Sequence, residues 1–214
     1  MKLSDDPSRF VDVGRMIPDV ITEIRYYTAY NFIGDRVDGY EEPLALLTAE
    51  AARALKKASD RAVEQGYRLR VYDAYRPQRA VDHFMRWAED ESDVRMKACF
   101  YPDLDKRDLI PGGYIARHSG HSRGSAVDLT LFDINLGRDA DMGGPFDFFG
   151  PVSHPDCPDV TDKQRENRLR LRDLMTGCGF QPITTEWWHF VLSDEPFRDT
   201  YFTFPISSMA LRGQ

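Results

Sequence analysis

The sequence predicts an α+β fold, because helical and strand patterns are mixed along the chain without regular alternation. Several segments carry apolar residues at helical spacing, and others alternate or are rich in β-branched residues. The 214 residues, 42% hydrophobic and 29% charged, contain no internal repeat and no low-complexity linker. A single domain over residues 1–214 is therefore expected.

The first half of the chain contains two predicted strands and two predicted helices. Residues 20–27 are rich in β-branched and aromatic types and predict a strand. Residues 48–66 predict a helix with Thr48 as its N-cap. Residues 67–73 alternate as a strand, and residues 78–89 carry the apolar spacing of a second helix.

The second half contains long loops between its predicted elements. Residues 100–113 and 139–158 are rich in Gly and Pro and predict loops, and loops of this length are often functional. Residues 125–131 predict a strand, residues 162–176 a helix, and residues 184–192 the last strand.

The charge of the chain excludes some classes of function. The net charge of -7 argues against a non-specific nucleic-acid binder, which needs excess Lys and Arg.

The sequence has no run of about 18 apolar residues, so no membrane span is expected. The N-terminus lacks the apolar stretch of a secretory signal, which predicts a cytoplasmic protein, or a periplasmic one if a leader has been removed.

The cysteines do not indicate a metal site. Cys99, Cys157 and Cys178 form no Cys-x-x-Cys pair, so zinc binding by cysteine is disfavoured. Free, buried thiols are expected, with one disulfide and a spare thiol as the alternative.

One distinctive segment surrounds His121. Gly120 and Gly124 allow the backbone to turn tightly there, and a predicted strand follows. On one face of that strand, Asp128 is a lone carboxylate between small neighbours, which leaves room for a ligand.

A second distinctive segment contains Glu186 and His189. Two imidazoles and one carboxylate leave the fourth position of a zinc ion open to water, and such a metal activates that water and polarises a carbonyl. Glu186 is then the candidate base that moves the proton to the leaving amine. Residues three apart on a regular strand point to opposite faces, so this role requires Glu186 to lie in a turn or bulge before the strand.

Spacing alone leaves other interpretations open. A His-x6-Asp pair and a Glu-x-x-His pair both occur by chance, and His189 could be a hydrogen-bonded core histidine. A metal-free structural protein would, however, leave Asp128 and His189 as polar groups without an evident partner on inner faces.

Longer motifs add a family resemblance. Ser119-Gly-His-Ser-Arg-Gly-Ser-Ala-Val-Asp128 matches Ser-x-His-x-x-Gly-x-Ala-x-Asp, and Glu186-Trp-Trp-His189 matches Glu-x-x-His. These are signatures of the VanX-type D-Ala-D-Ala dipeptidases, which this chain resembles over nearly its whole length. Further matches lie at residues 26–34, 73–77 and 142–147.

The resemblance implies one zinc ion per chain, with His121, Asp128 and His189 as its ligands and Glu186 as the base. It also implies that Arg76 stabilises the oxyanion of the tetrahedral intermediate, the alternative being a surface salt bridge.

The resemblance further implies a small dipeptide substrate. Asp147 would accept its free ammonium group, unless it is only a turn-forming residue, and Ser119 and Tyr26 would make further substrate contacts. The implied fold has a mostly antiparallel central sheet with helices packed on it and a zinc site in a cleft, as in D,D-peptidases and the hedgehog N-terminal domain.

The expected activity is therefore zinc-dependent hydrolysis of D-Ala-D-Ala. The alternative within the superfamily is a D,D-carboxypeptidase or endopeptidase that acts on longer peptidoglycan stems. A non-catalytic zinc module, as in the hedgehog domain, would tolerate loss of Glu186 and Arg76, and both are present. Glycopeptide resistance, D-Ala recycling and nutrient scavenging are all compatible with this activity.

Overall fold

In the computed structural model, which describes residues 1–211, short strands and helices follow one another irregularly. The strands are β1 Lys2–Ser4, β2 Phe10–Asp12, β3 Ile21–Thr22, β4 Leu46–Thr48, β5 Tyr67–Asp73, β6 Ala126–Asp133, β7 Arg138–Asp139, β8 Phe180–Pro182, β9 His189–Leu192 and β10 Thr200–Phe202. The helices are α1 Val13–Met16, α2 Ala49–Glu64, α3 Gln78–Glu89, α4 Lys97–Phe100, α5 Lys106–Leu109 and α6 Asp162–Thr176. Short 3-10 helices cover Arg25–Tyr27, Gly120–Arg123 and Pro151–Ser153.

The central sheet of the described chain has the strand order β3, β5, β6, β9, β8, and β7 also pairs with β6. The β3–β5 pair is parallel, whereas the pairs β5–β6, β6–β9, β8–β9 and β6–β7 are antiparallel. The α+β prediction is confirmed, and the sheet is mixed, with one parallel pair beside its antiparallel pairs. The parallel pair arises because the connection from β3 to β5 passes through helix α2, which lets the chain re-enter the sheet in the same direction.

Strand β6 is the middle strand of the central sheet, between β5 and β9. Val127, Leu129 and Leu131 are fully buried and belong to a single cluster of buried apolar residues, as the alternation predicted. The opposite face is also inaccessible: Asp128 and Thr130 are buried as well. Buried polar side chains such as these require hydrogen-bond partners.

The three long helices have the predicted positions. The hydroxyl of Thr48 accepts a hydrogen bond from the N–H of Ala51 and caps α2, which packs against β5. Thr161 and Gln164 form a reciprocal capping box at the start of α6, which packs against β8 and α2.

Several predicted bounds were wrong. Of residues 20–27 only Ile21–Thr22 is a strand, because the chain leaves the sheet after Glu23 and turns to bury the Tyr26 ring. The strand predicted at residues 184–192 begins only at His189, and it is not the last, since β10 follows it. The predicted loop 100–113 contains the short helix α5, whose single turn is too brief to show a helical repeat.

The cysteines are free, as expected, although only Cys157 is buried; Cys99 is exposed and Cys178 half-buried. Across residues 1–211, the helices are too short or too polar to cross a bilayer.

Gly124 provides a test of this packing. Its φ of +78° is unfavourable for any other residue, and a Cβ there would overlap the buried Phe10 ring. We expect Gly124→Ala to lower the free energy of unfolding by about 2–4 kcal/mol, from backbone strain and overpacking together. Gly113→Ala is the matched control, since Gly113 also has a φ of +78° but nothing within 4 Å of the added Cβ. Chemical denaturation of both variants should show a clearly larger loss for Gly124→Ala, and equal losses would contradict the proposed overlap.

Candidate metal centre

His121 is held in place by the short 3-10 helix Gly120–Arg123. The Ser119 hydroxyl accepts a hydrogen bond from the His121 N–H at 3.2 Å, and Gly124 ends the turn in the left-handed conformation. The Nδ1 atom of the imidazole lies 2.6 Å from the carbonyl oxygen of Ala74. A carbonyl only accepts, so Nδ1 carries the proton and Nε2 presents its lone pair to the site.

The sheet register aligns the other site residues. Asp128 on β6 lies directly opposite His189 on β9 and, on its other side, opposite Asp73 on β5. Three polar side chains therefore occupy one row across three adjacent strands. The Asp128–His189 alignment brings together residues that are 61 positions apart in the chain.

The two imidazoles and the Asp128 carboxylate converge on one point. His121 Nε2 lies 3.0 Å from His189 Nδ1 and 3.2 Å from an oxygen of Asp128, and His189 Nδ1 lies 2.9 Å from the other oxygen. One ligand atom from each residue lies within 4.8 Å of the others, and all three side chains are buried. This group could hold a metal ion.

The negative charge of this group lies on Asp128. Burial alone would raise the pKa of Asp128, but the imidazoles of His121 and His189 outweigh it and hold that pKa well below its usual range. Burial lowers the pKa of His189, and the hydrogen bond and charge of Asp128 more than reverse this effect. Asp128 is therefore an anion whose partners are two nitrogen donors.

Glu186 lies beside this group, in a turn before β9. Its backbone carbonyl accepts a hydrogen bond from the N–H of His189, and its carboxylate oxygen lies 3.8 Å from His189 Nδ1. The condition that Glu186 lie outside the regular strand is met. Trp187 also lies in this turn, outside β9. Burial raises the pKa of Glu186, with the nearby negative charge of Asp128 in the same direction.

Arg76 is fixed on the opposite wall. Its Nε and one terminal nitrogen bind the same carboxylate oxygen of Asp73 at 2.9 and 2.8 Å, and that terminal nitrogen lies 3.6 Å from Asp128. The guanidinium carbon stands 4.9 Å from the centroid of the Tyr26 ring and 5.1 Å from that of Phe84. Arg76 is thus held among site residues and is not a surface salt bridge.

Asp147 enters the site from the long loop. It is buried, it accepts a hydrogen bond of 2.8 Å from the Tyr26 hydroxyl, and its φ is 62°. Among residues 1–211 no other non-glycine residue has a positive φ, and such strain is concentrated at functional sites. Burial and the charge of Asp128 raise the pKa of Asp147 well above its usual value. A cationic group beside Asp147 would relieve this penalty.

These side chains share one cavity of about 200 Å³. Its lining includes all eight residues predicted for the site: Tyr26, Arg76, Ser119, His121, Asp128, Asp147, Glu186 and His189. Drug-sized ligands occupy about 300–1,000 Å³, so this cavity suits a smaller molecule.

Sequence reasoning did not find every residue at the site. The hydroxyl of Tyr40 donates to Asp73 at 2.7 Å, and the Ala74 carbonyl orients His121; neither carries a motif that would have indicated its role.

Known proteins resemble this chain over most of its length. A Streptomyces coelicolor protein named D-alanyl-D-alanine dipeptidase is 43% identical to this chain, over 92% of this chain and 98% of that protein. An Enterococcus faecium protein of the same name is 42% identical over the same shares of both chains. The Escherichia coli protein of that name is 38% identical over 87% of this chain and 86% of its own length. A solved structure of the D,D-pentapeptidase VanY with Zn(II) aligns only weakly, with a TM-score of 0.43 and 14% identity over 73% of this chain and 78% of that chain.

The model of the Peptidase M15 family, described as D-ala-D-ala dipeptidase, matches residues 6–207. With the family model covering nearly the whole chain, this protein belongs to the Peptidase M15 family of D-ala-D-ala dipeptidases.

Proposed function

We propose that this chain is a zinc dipeptidase that hydrolyses D-Ala-D-Ala, with His121, Asp128 and His189 binding one zinc ion. The observation that carries the proposal is the convergence of these three donors on one wall of a small cavity that also contains Glu186. The relatives named as dipeptidases of this substrate support the reaction assigned to it.

The donor set fits zinc in type and in spacing. Two nitrogens and one carboxylate oxygen are typical zinc ligands, whereas Mg²⁺ and Ca²⁺ prefer oxygen ligands only. Ligand atoms at about 2.0–2.1 Å from a tetrahedral ion lie about 3.3 Å apart. The two imidazole nitrogens are 3.0 Å apart, and each lies within 3.2 Å of one of the two Asp128 oxygens, which is close to this spacing.

Glu186 is the proposed base. His121, Asp128 and His189 would hold the zinc ion, which would lower the pKa of a water molecule at its open position and polarise the substrate carbonyl. The carboxylate of Glu186 lies close enough to His189 to take the proton from the attacking water and deliver it to the leaving amine. Burial raises the pKa of Glu186, and a more basic carboxylate accepts a proton more readily.

Arg76 is the proposed oxyanion stabiliser. Its two bonds to Asp73 fix one edge of the guanidinium, and the rings of Tyr26 and Phe84 fix its plane. A donor that is already oriented stabilises the negative charge that develops on the carbonyl oxygen without a reorganisation cost.

Asp147 is the proposed acceptor of the substrate ammonium. A buried carboxylate with a raised pKa gains most from a cationic partner, which explains a preference for substrates with a free amine. Tyr26, which donates to Asp147, and Ser119 also line the cavity and are proposed as further substrate contacts.

The alternative is a carboxypeptidase or endopeptidase acting on longer peptidoglycan stems. A cavity of about 200 Å³ with a buried carboxylate at one side favours a dipeptide.

We further propose one domain over residues 1–214, of which residues 212–214 lie outside the described part. The cytoplasmic location stays a prediction.

The proposed function is tested by the purified chain itself. We expect about one zinc ion per chain and hydrolysis of D-Ala-D-Ala far faster than hydrolysis of a pentapeptide stem that ends in D-Ala-D-Ala. Metal analysis and product quantification would check both. A chain that stays free of zinc, or that prefers the pentapeptide, would overturn the corresponding part of the proposal.

Glu186→Gln should retain zinc and lose activity. The amide keeps the shape of the side chain but cannot accept the proton, so kcat should fall by about 10²–10⁴-fold, the usual contribution of a general base. Glu64→Gln, at the exposed end of α2, is the matched control and should behave as wild type. Normal turnover in Glu186→Gln would remove this residue from the mechanism.

Asp147→Asn should weaken the selection of free amines. We expect the ratio of kcat/KM for D-Ala-D-Ala to that for its N-acetylated form to fall by at least about tenfold, since a hydrogen-bonded ion pair is lost. Asp156→Asn, in an exposed part of the same loop, is the control. An unchanged ratio would show that the ammonium binds elsewhere.

A further inference from the structure

Arg168 on helix α6 is an unusual buried cation. Only 4% of its surface is exposed, and its guanidinium donates to backbone carbonyls rather than to a carboxylate. The acceptors are Met142 at 2.6 Å, His154 at 2.7 Å and Val152 at 2.7 Å. Burial lowers the pKa of Arg168, which reflects the cost of placing this charge inside the protein.

The three acceptors lie on the two stems of one loop. Met142 is five residues before Asp147, and Val152 is five residues after it. The guanidinium of Arg168 therefore joins the two ends of this loop, and Asp147, the proposed ammonium acceptor, lies in the middle of the loop. Loops of about 6–16 residues with adjacent ends have their shape fixed by such internal packing.

Two neighbours on α6 extend this contact. Asn167 donates to the carbonyl of Asp141 at 2.8 Å, and Gln164 donates to its carboxylate at 2.9 Å. Because α6 itself packs on α2 and β8, these contacts bind the loop to the scaffold of the molecule.

Asp147 needs this support because its backbone is strained. A non-glycine residue at a φ of 62° persists only where the surrounding structure fixes it. Arg168 is suited to this task, since its planar fork reaches three carbonyls in fixed directions, whereas Lys offers a single nitrogen.

We propose that Arg168 is a positioning residue for substrate selection: it closes the loop at residues 142–154 so that Asp147 meets the substrate ammonium. The proposal rests on the proposed function, because it assigns Arg168 a role through the ammonium acceptor. It does not concern the metal or the base.

The test compares Arg168→Lys with Arg172→Lys, an exposed position on the same helix. We expect Arg168→Lys to bind zinc normally and to lose at least about tenfold in the kcat/KM ratio of D-Ala-D-Ala over its N-acetylated form, as expected for loss of charge-assisted hydrogen bonds. Arg172→Lys should keep the wild-type ratio. General destabilisation would slow both substrates alike and leave the ratio unchanged, and that result would overturn the proposal.

A double variant separates positioning from unrelated damage. If Arg168 acts through Asp147, Arg168→Lys should cause no further loss of the ratio in the Asp147→Asn background. Full additivity of the two losses would contradict the proposal.

Amide hydrogen exchange supplies a readout that needs no activity. Residues 143–151 should lose protection in Arg168→Lys while β5, β6 and β9 keep theirs, and equal protection in this loop would refute the closure. A wild-type chain without dipeptidase activity would instead contradict the proposed function. The role of Arg168 in substrate selection would then fall as well, whatever hydrogen exchange shows.

Discussion

The register of β6 with its two neighbours is the constraint on which the site depends. It places Asp128 beside His189 on one side and beside Asp73 on the other. The second alignment requires an irregularity in β5 between Val71 and Asp73, where the register shifts. Val71 pairs with Leu129, so a regular strand would have set Asp73 opposite the core residue Val127. The shift turns the carboxylate toward Arg76 instead, which is the use that β-bulges commonly have near active sites.

The resulting row of charges is unbalanced without a cation. Asp73, Asp128 and Asp147 are buried around one guanidinium, that of Arg76, and Glu186 lies at the edge of the same cavity. Burial raises the pKa of Asp73, of Asp147 and of Glu186, so each of these carboxylates is costly to keep ionised. A divalent ion between Asp128 and the imidazoles, and an ammonium beside Asp147, would each offset part of that cost. The same electrostatic imbalance therefore supports both the proposed metal ion and the proposed cationic end of the substrate.

The sequence predicted the parts of this arrangement that depend on local pattern. The alternation of β6 located Asp128 on the face opposite Val127, Leu129 and Leu131, and helical spacing located α2, α3 and α6. The requirement that Glu186 lie before its strand followed from the period of two alone, and the turn is present.

What could not be predicted depends on contacts between distant segments. The irregularity in β5, the Tyr40–Asp73 bond and the Ala74 carbonyl behind His121 arise only when the strands pair. The two residues of β3 contain no pattern that would predict its parallel pairing. In the sequence, Arg168 is only one of several charged residues on helix α6. Its partners are carbonyl groups, which every residue has, so no motif could reveal them.

The proposed site residues lie on two parts of the structure, the central sheet and the loop that contains Asp147. The donors for the metal lie on the central sheet and on a turn locked to it, where packing on both faces leaves little freedom. Asp147 lies on a loop that is bound to α6 through Arg168. Under the proposed function, hydrolysis depends on residues of the rigid sheet and substrate selection on a residue of the anchored loop. The proposal therefore makes hydrolysis and the choice of a short, free-amine substrate separable properties, although the proposed residues line one cavity.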